Sequence, residues 1–267
     1  MEKNKIKICI LRVGGTNRDV DIANCFADLG IDAKVLHLND ILRRQKLSIY
    51  SGLVIPGGFA FGDYVRAGAI WGKKLHSLLG RDLELFKEQG KPILGICNGF
   101  QVLVEAGLIP GLDGVGRETH VTLTNNKSAK FECRWVRMRK NLKTRCLFVK
   151  YLPEYVRFPI AHGEGRFVIA SDSVRNQIVE NRQIVLQFVK SNGRLADGSY
   201  PDNPNGSDFD IAGICDNGGT VLGLMPHPED AYFGYQLPDW TSETVLPRYG
   251  DGFGLVNSMV KYIEECL

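Results

Sequence analysis

Cys97 is the residue around which chemistry can be built. It stands in Gly95-Ile96-Cys97-Asn98-Gly99, behind the apolar run 92–96. Phe100, Leu103, Val104 and Ala106-Gly107 follow at helical spacing with a glycine stop. The pattern predicts a strand, a sharp turn and a helix, with the thiol at the corner. G-x-C-x-G is the thiol counterpart of the serine nucleophile elbow. So tight a turn leaves no room for Cβ atoms on either side, which Gly95 and Gly99 answer. A thiol held there faces the N-terminus of the following helix, whose dipole and free N–H groups favour thiolate and can receive an oxyanion. A buried structural cysteine is the plainer alternative; the two glycines and Asn98 weigh against it.

A cysteine nucleophile needs a base that keeps it thiolate and later protonates the leaving amine. That base needs an acceptor on its other nitrogen to fix tautomer and orientation. Met225-Pro226-His227-Pro228-Glu229 contains both groups. Each proline pushes the residue before it out of helical geometry, so the segment is expected to be extended. His227 and Glu229 would then face one region, with a bend needed for them to touch. Taken alone, a histidine between prolines reads as a surface turn; beside the elbow it reads as the base. His37 and His76 read as structural, and His120 stays open between structure and site.

The elements that must position these groups are legible as alternating patterns. Residues 6–13 read as a strand, 14–17 as a turn, 19–29 as a helix closed by Gly30, and 33–38 as a second strand. Residues 52–55 form a third strand ending in Pro56-Gly57-Gly58-Phe59. Two helical stretches, 67–79 and 83–89, precede the strand 92–96. Alternation of this kind predicts an α/β fold, a parallel sheet with helices on both faces. Sites in such sheets lie at the carboxyl ends of the strands, where Gly14-Gly15, Gly57-Gly58 and Cys97 all fall. The middle of the chain turns to β. Residues 121–124 and 130–138 read as strands joined across 125–128, and 156–161, 167–170 and 184–189 continue the style as antiparallel or mixed pairing added to the sheet. Residues 197–210 read as a loop, 211–215 and 221–225 as a hairpin, and 252–266 as a closing helix. The whole chain, 1–267, reads as a single domain.

Composition excludes several classes. Hydrophobic residues make up 44% and charged residues 24%, with a net charge of +3, too small to argue for nucleic acid. No apolar run reaches membrane-spanning length, and the start leads straight into a strand rather than a signal peptide. Seven scattered cysteines without C-x-x-C suit reduced thiols in the cytoplasm and argue against a disulfide framework or a zinc site. Cys9, Cys133 and Cys215 read as core filler. Residues 127–150 carry nine Lys/Arg and one acid, which reads as a solvated face before it reads as a docking surface. There is no G-x-x-x-x-G-K-[ST] phosphate loop.

The elbow together with Pro226-His227-Pro228-Glu229 resembles the class I, triad-type glutamine amidotransferases, with their flavodoxin-like fold. The resemblance implies a Cys97–His227–Glu229 site that hydrolyses L-glutamine to glutamate and ammonia through a cysteinyl thioester. It matches Pro56-Gly57-Gly58-Phe59 to the oxyanion loop, so that backbone N–H groups at Gly58 and Asn98 would hold the oxyanion. It places Gly57, Phe59, Gln101 and His162 around the substrate. Longer stretches, 57–70, 159–167, 203–207 and 213–215 leading to 225–229, are similar to one branch of that family, the glutaminase subunits of phosphoribosylformylglycinamidine synthases. The similarity runs from about residue 6 to about 231 and weakens over 232–250. The early turn, Arg12-Val13-Gly14-Gly15-Thr16-Asn17-Arg18-Asp19, departs from relatives that often carry proline and cysteine there.

That branch implies two partners, a synthetase and a small bridging subunit. No metal or cofactor is expected in this chain, with ATP and Mg²⁺ on the synthetase. Three rivals are weighed: a glutaminase serving another synthetase, a stand-alone cysteine hydrolase on a similar sheet, and a non-catalytic interaction subunit, against which intact Cys97, His227 and Glu229 count.

Overall fold

The computed structural model describes residues 1–43, 46–112 and 120–267. Its strands are β1 (Lys7–Arg12), β2 (Asp32–His37), β3 (Gly52–Ile55), β4 (Ile93–Ile96), β5 (Val121–Thr124), β6 (Glu132–Lys140), β7 (Tyr155–His162), β8 (Arg166–Ile169), β9 (Ile184–Phe188), β10 (Ile211–Cys215) and β11 (Val221–Leu224). The helices are α1 (Asp19–Asp28), α2 (Leu38–Arg43), α3 (Ala69–Glu88), α4 (Asn98–Glu105), α5 (Asp172–Glu180) and α6 (Phe253–Cys266). One sheet has the order β2-β1-β3-β4-β11-β10-β9-β6-β7. From β2 to β11 the neighbours are parallel; from β11 to β7 they are antiparallel. The α/β expectation, with an antiparallel section added to a parallel one, holds.

Burial explains the central strands. Ile8, Cys9, Ile10 and Leu11 of β1 are all buried, as are all residues of β3, β4, β10 and β11. Continuous apolar runs belong to strands covered on both faces. Glycines reveal what covers them. A Cβ on Gly52 would run into Met259 and Ile8, placing α6 on that face. Three residues on, Ile55 stands in register with Gly95, and Gly95 with Gly223. Cβ atoms on those glycines would collide with Leu103 and Phe100 of α4, on the opposite face. All eight residues of α4 are buried, so the helix behind Cys97 is enclosed on every side.

Four expectations are corrected. The two helical stretches 67–79 and 83–89 are one helix, α3. Its apolar residues Leu75, Leu79, Leu83 and Phe86 keep one stripe through Gly80, and a single glycine does not outweigh that packing. β5 is not added to the main sheet: it pairs with β8 in a separate two-stranded sheet. Asn126 redirects the chain, with its N–H on the Gly163 carbonyl at 2.8 Å and its side-chain amide on the carbonyls of Lys130 and His162. The ribbon then covers α4, with Phe167 stacked on Phe100 at 6.0 Å. Cys133 is exposed, unlike Cys9 and Cys215. Val136 and Met138 fix the inward phase of β6, which turns Glu132 in and Cys133 out. The fourth correction, at residues 225–229, belongs to the site.

Part of the basic stretch is spent on structure. Arg134 pairs with Glu132, Lys150 with Glu265, and Lys140 donates to the carbonyls of Val149 and Leu152.

Candidate active site

Cys97 is the single residue between β4 and α4. Its φ of 52° and ψ of −109° form a conformation that an L side chain adopts only under constraint. The constraint is visible. Its N–H donates to the Leu224 carbonyl at 2.8 Å, and its own carbonyl accepts from Phe100 and Gln101 at 3.0 and 3.2 Å. A Cβ on Gly99 would overlap the Ile55 carbonyl, and one on Gly95 would stand 2.7 Å from the Gly99 carbonyl oxygen. Both glycines are therefore steric requirements of the elbow. The N–H groups of Asn98 and Gly99 precede the first bonded donor of the helix, Phe100, as first-turn amides do.

β11 lies beside β4 and delivers the second half of the site. The His227 N–H is fixed to the Pro159 carbonyl of β7 at 2.9 Å. The segment is not extended through Glu229. Pro228 has φ −67° and ψ −27°, and a helical turn over Glu229–Ala231 follows. A proline restricts the residue before it but is itself at home in the first turn of a helix, which is how the bend arises. It brings Nδ1 of His227 to 2.7 Å from Oε1 of Glu229. Nε2 is thereby left for Cys97, whose Cβ packs with the imidazole over Gly57 and whose thiol lies 3.8 Å from the Ala161 carbonyl. All three groups are buried. Burial opposes a charge on His227, but Glu229 and Cys97 overcome it and hold its pKa well above the ordinary value.

The loop after β3 is braced by the turn after β1. The N–H groups of Asn17 and Arg18 donate to the Gly57 carbonyl at 3.3 Å each, Phe59 donates to Gly15 at 2.9 Å and Phe61 to Gly14 at 2.9 Å. With the Gly57 carbonyl held on the turn, the Gly58 N–H lies on the other side of the same planar peptide. Gly58 has φ +147°, and a Cβ there would stand 2.7 Å from the Gly15 carbonyl oxygen. Gly57 packs under the imidazole: its Cβ would lie 2.9 Å from His227 Cε1.

A cavity of about 180 Å³ opens beside the thiol, lined by Gly58, Phe59, Gln101 and His162 together with Asp63 and Glu164. Asn98 organises it from beneath. Its side chain donates to Gln101 Oε1 at 2.9 Å and Asp63 Oδ1 at 3.2 Å, and accepts from the Ala60 N–H at 3.1 Å. Gln101 in turn donates to the Glu164 carbonyl at 2.8 Å.

The family of CobB/CobQ-like glutamine amidotransferase domains matches residues 5–263. The phosphoribosylformylglycinamidine synthase subunit PurQ of Archaeoglobus fulgidus is 42% identical, covering 99% of this chain and 100% of that one. The subunit of the same name from Dehalococcoides mccartyi is 36% identical over 98% of this chain and 99% of its own. The chain belongs to the PurQ branch of the glutamine amidotransferases. A chain in the structure of PurLQS from Thermotoga maritima superposes with a TM-score of 0.70 at 32% identity, covering 97% of this chain and 99% of that one.

Within this PurQ-family fold, the residues singled out from sequence lie together, with one shift of position. Gly57 lies under His227 rather than on the cavity wall, and the Asn98 side chain is a buried organiser. Three contributors were not singled out. Asp63 and Glu164 sit inside the stretches 57–70 and 159–167, where their acidic character beside glycines was the available signal. Arg18 bonds Asp230 at 3.1 Å and Asp21 at 3.3 Å, next to Glu229. His227, Glu229 and Asp230 could in principle crowd a metal ion, their ligand atoms lying within 4.8 Å of one another. Nδ1 of His227 is bonded to Oε1 of Glu229, and Asp230 is paired with Arg18. His37 accepts from the Asn39 N–H, a local structural role.

Proposed function

We propose that this chain is the glutaminase subunit of a phosphoribosylformylglycinamidine synthase, with 1–267 acting as one glutamine amidotransferase unit. The observation that carries the reading is the strained Cys97 elbow beside an imidazole that Glu229 orients. In the proposed reaction the Cys97 thiolate attacks the side-chain carbonyl carbon of L-glutamine. The N–H groups of Gly58 and Asn98 take the oxyanion. His227 gives a proton to the departing nitrogen, the C–N bond breaks, and ammonia leaves a glutamyl thioester on Cys97. His227 then takes a proton from water, hydroxide adds to the thioester, and collapse releases glutamate and restores the thiolate. Glu229 holds the imidazole in the tautomer and orientation that these transfers need.

The proposed partners are a synthetase subunit and a small bridging subunit. The synthetase would use ATP and Mg²⁺ to convert formylglycinamide ribonucleotide with the ammonia in purine (IMP) biosynthesis. Similarity to a chain of the PurLQS assembly supports this, as do the exposed apolar side chains of Phe59, Tyr64, Val65 and Phe131 around the cavity mouth. A cytoplasmic location is proposed with it; among the described residues no helix is long and apolar enough to cross a membrane. The test is ammonia release from glutamine by the purified chain, alone and with a synthetase, small subunit, ATP and formylglycinamide ribonucleotide. Glutamine-dependent product formation supports the reading; a chain that releases no ammonia in either setting overturns it.

A further inference from the structure

Gly57 is where the nucleophile and the base meet a third element, the turn 14–18. A Cβ there would stand 2.9 Å from His227 Cε1 and 3.4 Å from both Cys97 Cβ and Arg18 Cγ. The stem of Arg18 therefore packs on the loop 56–59 beside the two reacting side chains. Its backbone N–H donates to the Gly57 carbonyl at 3.3 Å. Arg18 is also the residue just before α1, so whatever it grips is tied to that helix.

The guanidinium of the same residue reaches the other half of the site. Nη1 donates to Asp230 Oδ1 at 3.1 Å and to Asp21 Oδ2 of α1 at 3.3 Å. Asp230 follows Glu229 in the helical turn Glu229–Ala231, the bend that brings the base onto its acceptor. A second tie runs beside this one, with Tyr232 donating to Asp28 at the far end of α1 at 3.0 Å. The hold of Glu229 on the imidazole is itself slender. Oε1 makes the contact, while Oε2 is buried without a hydrogen-bond partner. Its aim therefore depends on how the turn is held. Among the described residues, Arg18 is the one arginine or lysine paired with Asp230 or Asp21. Burial, then the charge of Glu229, pushes the Asp230 carboxyl above its usual range, and Arg18 is the first influence that pulls it back.

We infer that Arg18 is a positioning residue: by pairing with Asp230 while packing on Gly57, it holds the His227–Glu229 contact in register with Cys97 and the loop 56–59. The inference rests on the glutaminase reading and adds a residue outside the cavity lining. Without the guanidinium, Asp230 stands half-buried beside Glu229 with no cation, and two like charges relax by turning apart. Asp230 adjoins Glu229 in a three-residue turn, so that movement swings the acceptor of the base. The bond to the Gly57 carbonyl survives any replacement except proline, because the backbone makes it. A side-chain substitution thus isolates the ion pair.

The test is steady-state ammonia release from glutamine by the chain assembled with its synthetase and small subunit. Arg18→Met keeps an apolar stem on Gly57 and removes the charge. It should lower kcat on the order of 10- to 100-fold, the cost of a misplaced catalytic group, with KM nearly unchanged. Arg18→Lys keeps the charge and should recover part of the loss. Adding Asp230→Asn to Arg18→Met removes the stranded carboxylate and should recover most of it. A packing role would be relieved by neither change. Arg18→Met at wild-type kcat, or a loss that Asp230→Asn does not relieve, overturns the inference and leaves the glutaminase standing. If Arg18→Met fails to fold, the double variant decides: folded and active it supports the inference, while folded and slow, or again unfolded, it overturns it. Wild-type protein that releases no ammonia refutes the functional reading, and the inference falls with it.

Discussion

His227 Nδ1 and Glu229 Oε1 lie 2.7 Å apart although only Pro228 separates the two residues in sequence. The helical turn that begins at Pro228 makes the contact possible, and it leaves Nε2 free for the thiol. A division of labour follows: the imidazole moves protons, and the carboxylate fixes its tautomer. His227→Ala is expected to lower kcat for glutamine by about 10² to 10⁴, and Glu229→Ala by less. Steady-state ammonia release measures both. A Glu229→Ala protein at wild-type turnover would remove Glu229 from the site.

The bend at Pro228 also marks where sequence reading stops. Residues that act through type and spacing were legible: the elbow, the glycines that its sterics require, the prolines flanking the base, and the alternation that sets the parallel sheet. Contacts made through tertiary routing were not. The pairing of β5 with β8 follows a turn in which the Asn126 side chain holds residues distant in sequence. Cys133 faces out because Val136 and Met138 fix the phase of β6, a choice that a nine-residue amphipathic strand does not announce locally. Asp63 and Glu164 are about a hundred residues apart, and only the fold puts their carboxylates in one cavity.

Gly57-Gly58 carry no side chains that could fix the loop 56–59. The structure instead ties it to the turn 14–18 by backbone hydrogen bonds. A peptide flip there would have to break the bonds that Asn17 and Arg18 donate to the Gly57 carbonyl, an equilibrium that a bound partner can bias. The lone chain is accordingly expected to turn over slowly, because one missing oxyanion donor costs on the order of 10² to 10³ in rate. Adding the synthetase, small subunit, ATP and formylglycinamide ribonucleotide should raise kcat with little change in KM. A lone chain that already matches the complex contradicts this.

His162 gives a stability signature. Its folded pKa of about 3 lies below the ordinary value near 6.5, with burial the main cause. Below pH 6.5 the unfolded chain binds a proton that the folded chain refuses until about pH 3. Its contribution is thus complete above pH 6.5 and falls as pH drops, by at most about 1.4 kcal/mol per pH unit. His227 shifts the other way, so its contribution is present at low pH and lost on the alkaline side. Urea unfolding at pH 7.0 and 5.0 should show wild type losing more stability than His162→Asn. Equal losses would mean that His162 titrates normally.

The segment 232–250 has two faces. Tyr232 packs against Tyr249 and Phe253 and donates to Asp28, while Tyr235, Trp240, Val245 and Leu246 are exposed. Exposed aromatics on a loop that leaves the site suit a partner interface. Trp240→Ala is expected to weaken assembly, read by analytical ultracentrifugation, more than it lowers Tm. Equal loss of both would assign the loop to packing alone.

Covalent capture on Cys97 tests the central claim most directly. Glutamine is mixed with the assembled complex, the reaction is quenched in acid within a turnover, and the peptide containing Cys97 is weighed by mass spectrometry. The account predicts a glutamyl adduct on Cys97, absent in Cys97→Ala, while that variant still uses added ammonia for synthesis at the wild-type rate. Glutamine-dependent turnover that persists in Cys97→Ala, or an adduct on another residue, would contradict it.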